Sequence, residues 1–166
     1  MLGGTSSGKS AVAEGLAQRL TVPVVYVATA IVTDTEMAMR VRRHRDRRPP
    51  EWGLLEATGA DLPAALLAIE GAVLVDALGT WVASFDDFEA FAAEQVAPLC
   101  RALGDRPGDT IVVSDEVGLG VHPSTDVGRR FRDAMGGLNT AVAGVADEVL
   151  LVIAGRVLSL DRPFPA

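Results

Sequence analysis

Short apolar runs alternate along this chain with longer stretches in which apolar residues recur at helical spacing. The short runs predict strands at residues 22–28, 72–75, 110–114, 149–154 and 157–160. The longer stretches predict helices at residues 11–20, 33–48, 61–69, 86–103 and 128–146, with a loop at 115–127. Strands that are apolar throughout and alternate with helices are typical of an α/β fold with a mostly parallel sheet and helices on both faces.

Length and composition narrow the class of protein. The 166 residues are 49% hydrophobic, which suits one domain, residues 1–166, with a full core. No apolar run reaches the roughly 18 residues that a membrane-spanning helix needs, and no signal peptide is predicted. The single cysteine, Cys100, excludes an intrachain disulfide and fits a cytoplasmic location. A net charge of −7 argues against general nucleic-acid binding.

The strongest chemical signal is the segment Gly3-Gly4-Thr5-Ser6-Ser7-Gly8-Lys9-Ser10, which fits the phosphate-binding P-loop pattern G-x-x-x-x-G-K-[ST]. The glycines allow backbone N–H groups to turn towards phosphate oxygens, and the following helix adds its positive N-terminal end. Lys9 is the only lysine in a chain that otherwise uses arginine, and Ser10 is expected to hold Mg²⁺. The alternative is a glycine-rich turn without a ligand. Only Met1 and Leu2 precede Gly3, so the first strand is predicted to be truncated or very short.

Three predicted strands end in residues suited to a ligand site, because ligands bind beyond the carboxyl ends of parallel strands. The strand predicted at 22–28 leads into residues 28–30. The next ends at Asp76, which is predicted to hold Mg²⁺ directly or through water, or else to cap a helix. The third is followed by Asp115 and Glu116, which either supply a second carboxylate or form a solvated turn.

Six arginines are concentrated in residues 40–48. A basic segment on an acidic protein favours a specific anion site, and the alternative is a solvated helix face. His44 lies within this segment. Its imidazole is a candidate nucleophile towards the α-phosphorus of a nucleotide, with neighbouring guanidiniums binding the triphosphate. By position alone a packed or surface histidine is favoured instead, and His122 is interpreted as structural.

Further motifs follow in a fixed order. They are Y-V-A-T-A at 26–30, D-T-E-M at 34–37, R-H-R-D-R-R-P at 43–49 with Trp52 and Glu56, V-D at 75–76 with Thr80 and Trp81, E-V-G-L-G-V at 116–121 with Pro123, R-F-R-D at 130–133 with Asn139, and A-D-E-V at 146–149 with Gly155. In this order they resemble the family of bifunctional adenosylcobinamide kinases / adenosylcobinamide-phosphate guanylyltransferases of cobalamin biosynthesis. The chain differs from the family's usual pattern at Ser6, at Asp115 and at 83–84.

The resemblance implies a RecA-like P-loop NTPase fold, GTP and/or ATP with Mg²⁺, a corrinoid substrate and a homotrimer. It implies that His44 takes GMP from GTP. The P-loop pattern makes Lys9 the second predicted catalytic residue, since a flexible ammonium can follow the β- and γ-phosphates through a reaction. Ser10 and Asp76 are the expected metal ligands. The residues that the resemblance and the P-loop pattern together assign to nucleotide binding are Gly3, Gly4, Thr5, Ser6, Ser7, Gly8, Lys9, Ser10, Ala28, Thr29, Ala30, Arg45, Asp46, Arg47, Arg48, Glu56 and Asp76.

The leading hypothesis is therefore an enzyme that phosphorylates adenosylcobinamide and then transfers GMP to the phosphate through His44. A P-loop small-molecule kinase without guanylyltransferase activity is the first rival. A GTP-binding switch is the second, since residues 76–79 fit D-x-x-G, but its guanine-reading N-K-x-D needs a second lysine that the chain lacks. A subunit that binds nucleotide without turnover is the third.

Overall fold

A computed structural model describes residues 1–30 and 35–162, apart from the side chains of Glu36, Met37, Arg40, Arg43 and His44. The strands within this part of the chain are β1 (Leu2–Gly3), β2 (Val24–Ala28), β3 (Gly53–Glu56), β4 (Ala72–Asp76), β5 (Thr110–Asp115), β6 (Leu150–Ile153) and β7 (Arg156–Ser159). The helices are α1 (Lys9–Ala17), α2 (Thr35–Arg47), α3 (Leu62–Leu67), α4 (Leu78–Val82), α5 (Phe88–Glu94), α6 (Val96–Asp105) and α7 (Asp126–Val145).

The strands form one sheet in the order β3-β2-β4-β5-β1-β6-β7. Neighbouring strands run parallel except for β6 and β7, which are antiparallel. The predicted mostly parallel α/β fold is confirmed. The first strand is as short as predicted, yet it lies inside the sheet, with Leu2 opposite Ser114 of β5 and Leu151 of β6. The P-loop therefore starts from a strand that has a partner on each side.

Apolar residues of β4 alternate between two cores, as expected for a strand covered on both faces. Val73 and Val75 pack with Trp81, Phe91 and other residues of α3 to α7. Ala72 and Leu74 face the opposite side, where they join Ala13 and Ala17 of α1. Helices thus cover both faces of the sheet, as predicted. Among the described residues, the structure contains no helix with the length and apolar character required to cross a membrane.

The prediction of one helix over 86–103 is wrong, because two helices meet at Gln95. Pro98 explains the break: it has no N–H to donate, and its ring would clash with the carbonyl of Glu94, four residues earlier, in a continuous helix. Two short elements, β3 and α4, were not predicted. The first two residues of the helix predicted over 33–48 lie outside the described residues.

Candidate active site

The P-loop connects β1 to α1 and packs against the turn between β6 and β7. Gly8 has a φ of 92°, in the left-handed region that favours glycine. The carbonyl of Ser7 accepts a hydrogen bond from the N–H of Gly155 in the β6–β7 turn, at 2.8 Å. The loop is thereby held at the carboxyl end of the sheet, where the N–H groups in the first turn of α1 have no carbonyl partner within the helix and suit a phosphate.

A cleft of about 500 Å³ opens beside this loop. It lies at the carboxyl ends of β2, β4 and β5, the edge at which ligands bind in parallel sheets. Its described lining residues are Thr5, Ser6, Ser7, Gly8, Lys9, Ser10, Ala11, Tyr26, Ala28, Ala30, Val41, Arg47, Arg48, Asp76, Ala77, Thr80 and Asp115. The cleft thus joins the P-loop, three strand ends and the helix that carries His44.

Lys9 is held at the floor of the cleft by two oxygen atoms. Its Nζ lies 2.7 Å from Oδ1 of Asp115 and donates to the carbonyl of Gly4 at 3.2 Å. Asp115 ends β5, the strand next to β1, so the sheet order brings this carboxylate to the P-loop. Of the two interpretations left open for Asp115, the structure places it in the cleft and not in a solvated turn.

Asp76 lies at the end of β4 and accepts hydrogen bonds on both carboxylate oxygens. Ser10 Oγ donates to Oδ1 at 3.1 Å, and the Tyr26 hydroxyl donates to Oδ2 at 2.8 Å. Burial, and then the nearby Asp76 carboxylate, raise the pKa of Tyr26 above its ordinary value, so this hydroxyl remains protonated and able to donate. Thr29, which directly follows the adjacent strand β2, is buried and donates to the carbonyl of Ala77 at 2.6 Å.

Two arginines bring the end of α2 to the cleft. Arg47 donates from Nε and from a terminal nitrogen to the two carboxylate oxygens of Glu14, at 3.1 and 3.2 Å. The Arg48 guanidinium lies over the Tyr26 ring, 3.7 Å from its centroid. Glu14 belongs to α1 and is almost fully buried, so the arginine segment of α2 contacts the same helix that the P-loop opens.

The structure brings most, but not all, of the predicted site residues together. Thr5 to Ser10, Ala28, Ala30, Arg47, Arg48 and Asp76 line the cleft. Gly3 belongs to β1, Gly4 contacts Lys9 through its carbonyl, and Thr29 is buried behind Ala77. Arg45, Asp46 and Glu56 are exposed and lie outside the described lining. His44 belongs to α2, but its side chain lies outside the described part of the structure.

Two polar residues of the cleft lining, Tyr26 and Thr80, were not among the predicted site residues, and neither was Glu14, which lies outside the lining. Tyr26 looked like an ordinary strand residue, since only its hydroxyl reaches Asp76. Thr80 lines the cleft from α4, a helix that the sequence pattern did not predict. Glu14 binds Arg47 from within an apolar helix. The sequence did contain one indication of this role, because Glu14 is an acidic residue on an otherwise apolar helix face. The spacing of residues did not show that Arg47 would be its partner. His122 contacts Arg132 at 2.7 Å through Nδ1, away from the cleft lining.

The cleft has the oxygen donors that suit Mg²⁺. Ser10 Oγ and the Asp76 carboxylate are adjacent, and a hydroxyl with one carboxylate, completed by phosphate and water oxygens, is a common Mg²⁺ site. No group of three or more His, Cys, Asp or Glu residues suited to a metal occurs in the described part of the chain. That finding does not oppose Mg²⁺, since this ion keeps several waters and needs few protein ligands.

A parallel sheet, a P-loop between its first strand and first helix, and an acidic strand end beside the loop define a P-loop nucleotide-binding protein. A solved structure from Pyrococcus horikoshii OT3 has a similar fold, with a TM-score of 0.53, 10% sequence identity, and coverage of 95% of this chain and 82% of that one.

Sequence comparison identifies the family. Residues 1–160 match the CobU family model, described as cobinamide kinase / cobinamide phosphate guanyltransferase. The bifunctional adenosylcobalamin biosynthesis protein CobP of Pseudomonas aeruginosa is 40% identical over 166 residues, covering 96% of this chain and 95% of the relative. The corresponding CobU proteins of Salmonella typhimurium and Escherichia coli are each 33% identical over 170 residues, covering 92% of this chain and 93% of each relative. The chain belongs to the CobU family.

Membership confirms the resemblance inferred from the motifs. The chain is a transferase of adenosylcobalamin biosynthesis that uses nucleotide substrates. The family description names both a kinase and a guanyltransferase, so it supports the bifunctional interpretation over a kinase without guanylyltransferase activity.

Proposed function

We propose that the cleft binds a nucleoside triphosphate with Mg²⁺, and that His44 on α2 becomes transiently linked to GMP. One observation carries the proposal. Arg47 and Arg48, three and four residues after His44 in the sequence, line the same cleft as Lys9 and Ser10 of the P-loop. Guanidiniums from one side and the P-loop from the other can therefore contact a single polyphosphate chain.

In the first reaction, the γ-phosphoryl group of ATP or GTP passes to the hydroxyl of the aminopropanol arm of adenosylcobinamide. The hydroxyl loses its proton, and a nucleoside diphosphate leaves. Lys9 is proposed to follow the β- and γ-phosphates through the transfer, because a compact ammonium on a flexible stem can do so. Ser10 and Asp76 would hold Mg²⁺, which neutralises phosphate charge when bound. Tyr26 orients the Asp76 carboxylate from its other oxygen.

In the second reaction, a nitrogen of the His44 imidazole attacks the α-phosphorus of GTP. A phosphorus–nitrogen bond forms, the bond to the β-phosphate oxygen breaks, and pyrophosphate leaves. The phosphate of adenosylcobinamide phosphate then attacks the same phosphorus, and His44 departs to give adenosylcobinamide-GDP. Arg47 and Arg48 are proposed to stabilise the charge that develops on the phosphate oxygens. Arg45, Asp46 and Glu56 are proposed to contact the nucleotide beyond the described lining.

The assembly and location proposed for this enzyme are a homotrimer in the cytoplasm, with no nucleic-acid partner. The family resemblance supports the trimer. Exposed apolar side chains on β6 and β7, namely Ile153, Val157 and Leu158, offer a surface that a second subunit could cover. The net charge of −7 supports the absence of a nucleic-acid partner.

Labelling with α-³²P-GTP and Mg²⁺ tests the covalent step. We expect the wild-type protein to acquire a label that survives alkali and is released by acid, as a phosphoramidate does. His44→Ala should lose this label completely and retain phosphorylation of adenosylcobinamide from γ-³²P-labelled nucleotide. His122→Ala is the matched control, because His122 is the only other histidine and contacts Arg132 instead of the cleft.

The outcomes separate the alternatives. A label that persists in His44→Ala would exclude His44 as the nucleophile. Phosphorylation of adenosylcobinamide without any protein label in the wild type would favour a simple kinase. Nucleotide binding with neither reaction would indicate a subunit without turnover.

A further inference from the structure

The ion pair between Lys9 and Asp115 is the shortest contact that the structure gives to the lysine. The Lys9 side chain is 11% exposed and that of Asp115 is 29% exposed, so water screens the pair only in part. The second contact of the ammonium is the carbonyl of Gly4 at 3.2 Å. The Lys9 ammonium, which is expected to bind phosphate, therefore already contacts the Asp115 carboxylate within the cleft.

Asp115 is positioned from two sides. Its main-chain carbonyl accepts a hydrogen bond from Nδ2 of Asn139 at 3.0 Å, and the buried Asn139 also accepts one from Ser114 Oγ at 2.5 Å. Gly79 of α4 packs directly against the Asp115 carboxylate, so closely that any Cβ at position 79 would overlap its Oδ2. This carboxylate is thus held towards Lys9 by buried structure on both sides.

The two carboxylates of the cleft have different partners. The described contacts of Asp76 include the hydroxyl donors of Ser10 and Tyr26, whereas Asp115 contacts the Lys9 ammonium. Removing the charge of Asp115 would therefore alter the electrostatics around Lys9 and leave the hydrogen bonds of Ser10 and Tyr26 to Asp76 in place.

We propose that Asp115 competes with the nucleotide's phosphates for Lys9, and so sets both the affinity for nucleotide and its dependence on the number of phosphates. The inference rests on the proposed binding of a nucleoside triphosphate in this cleft. A phosphate that reaches Lys9 must either displace the Asp115 carboxylate from the ammonium or share the ammonium with it. In both cases the negative phosphate is repelled by the negative carboxylate. Because the β- and γ-phosphates are the ones that approach Lys9, the penalty is largest for the triphosphate and smallest for the monophosphate.

Calorimetric titration with GTP, GDP and GMP tests this directly, with the wild-type protein and with Asp115→Asn, in EDTA and in Mg²⁺. The asparagine has nearly the same shape beside Gly79 and lacks the charge. We expect Asp115→Asn to bind GTP about two- to fivefold more tightly, since a partly exposed charge pair contributes about that much. The gain should be smaller for GDP and absent for GMP. In Asp115→Ala the gain in affinity should likewise be largest for GTP, smaller for GDP and absent for GMP. Thermal melting establishes that each variant is folded.

Glu94→Gln is the matched control. It removes one negative charge from an exposed position on α5, outside the cleft lining, and should leave all three affinities unchanged. Equal gains for GTP, GDP and GMP would overturn the inference, as would unchanged GTP binding. Weaker GTP binding confined to Mg²⁺ would also overturn it, by identifying Asp115 as a metal ligand. If the wild type bound none of the nucleotides, the proposed function itself would fail, whereas the other contrary results leave that function intact.

Discussion

The helices α1 and α2 both contribute to the cleft, but they are attached to the rest of the protein in different ways. From α1, Ala13 and Ala17 are fully or almost fully buried in a core beneath the sheet. Among the described side chains of α2, none is buried. The described contacts that α2 and the residue after it make with α1 and the sheet include the Arg47–Glu14 ion pair and the Arg48–Tyr26 stacking.

This difference separates the two reactions that we propose for the site. The P-loop is fixed by the burial of apolar residues, which depends little on salt or local charge. The helix of His44 reaches the cleft through guanidinium groups, whose contacts depend on the charges that face them. Phosphate binding by the P-loop should therefore withstand changes that disturb the position of α2.

The largest effect is expected from Arg47→Ala. Glu14 would lose two charge-assisted hydrogen bonds, which should lower the free energy of unfolding by about 2 to 3 kcal/mol. Labelling of His44 should decrease more than phosphorylation of adenosylcobinamide, because α2 loses a contact with α1 and the P-loop does not. Urea unfolding measures the first quantity, and labelled nucleotides measure the second.

Arg45→Ala provides the comparison for this variant. Arg45 is exposed on the same helix and outside the described cleft lining, so its removal should change the free energy of unfolding by no more than about 0.5 kcal/mol. If Arg47→Ala were equally mild, the ion pair with Glu14 would not be what attaches α2.

A smaller effect on stability is expected from Gly79→Ala, which changes the surroundings of the P-loop and not those of α2. The added methyl group would overlap the Asp115 carboxylate, which must then move away from Lys9. Overpacking of this kind should cost about 1 to 2 kcal/mol in thermal or urea unfolding. Gly15→Ala is the control, since nothing lies near a Cβ at that position of α1, and alanine there should stabilise the helix slightly. Equal stability of the two variants would show that Asp115 has room to move.

The order of strands and helices followed from the sequence because buried parallel strands are apolar throughout and the P-loop has a specific pattern. Asp76 was identified for the same reason, since it directly follows such a run. The partner of Lys9 was not predicted. Asp115 follows an equally clear strand, but only the sheet order, with β5 beside β1, shows that it meets the P-loop.

Contacts made by side chains between elements could not be predicted from local pattern. Strand β3 was missed because its residues are mostly exposed, so that it lacks the apolar signature of the other strands. The pairing of Arg47 with Glu14 depends on where α2 crosses α1, and no spacing in the sequence encodes that. Tyr26 also looked like a packing residue, although its hydroxyl is what contacts Asp76.

The smallest effect on stability is expected at Tyr26. This residue lies where the arginine segment meets the sheet, between Arg48 and Asp76. Burial and the Asp76 carboxylate raise the pKa of this phenol above its ordinary value of 10, so the native protein keeps the proton at a pH where the unfolded chain has lost it. Tyr26 is the only tyrosine in the chain, so phenolate absorbance reports on it alone. We expect little phenolate in the native protein at about pH 10.5 and abundant phenolate in urea.

The same reasoning fixes the sign of the pH dependence of stability. The stabilisation that comes from a raised pKa is fully present below the unfolded value of about 10 and is lost as the pH rises towards the folded value. Tyr26→Phe should therefore be less stable than the wild type by about 1 kcal/mol at neutral pH, because the hydrogen bond to Asp76 is gone. That difference should shrink as the pH rises above about 10. A native phenol that titrates with a midpoint near that of free tyrosine would contradict this, and would mean that the contact between Tyr26 and Asp76 does not hold the phenolic proton.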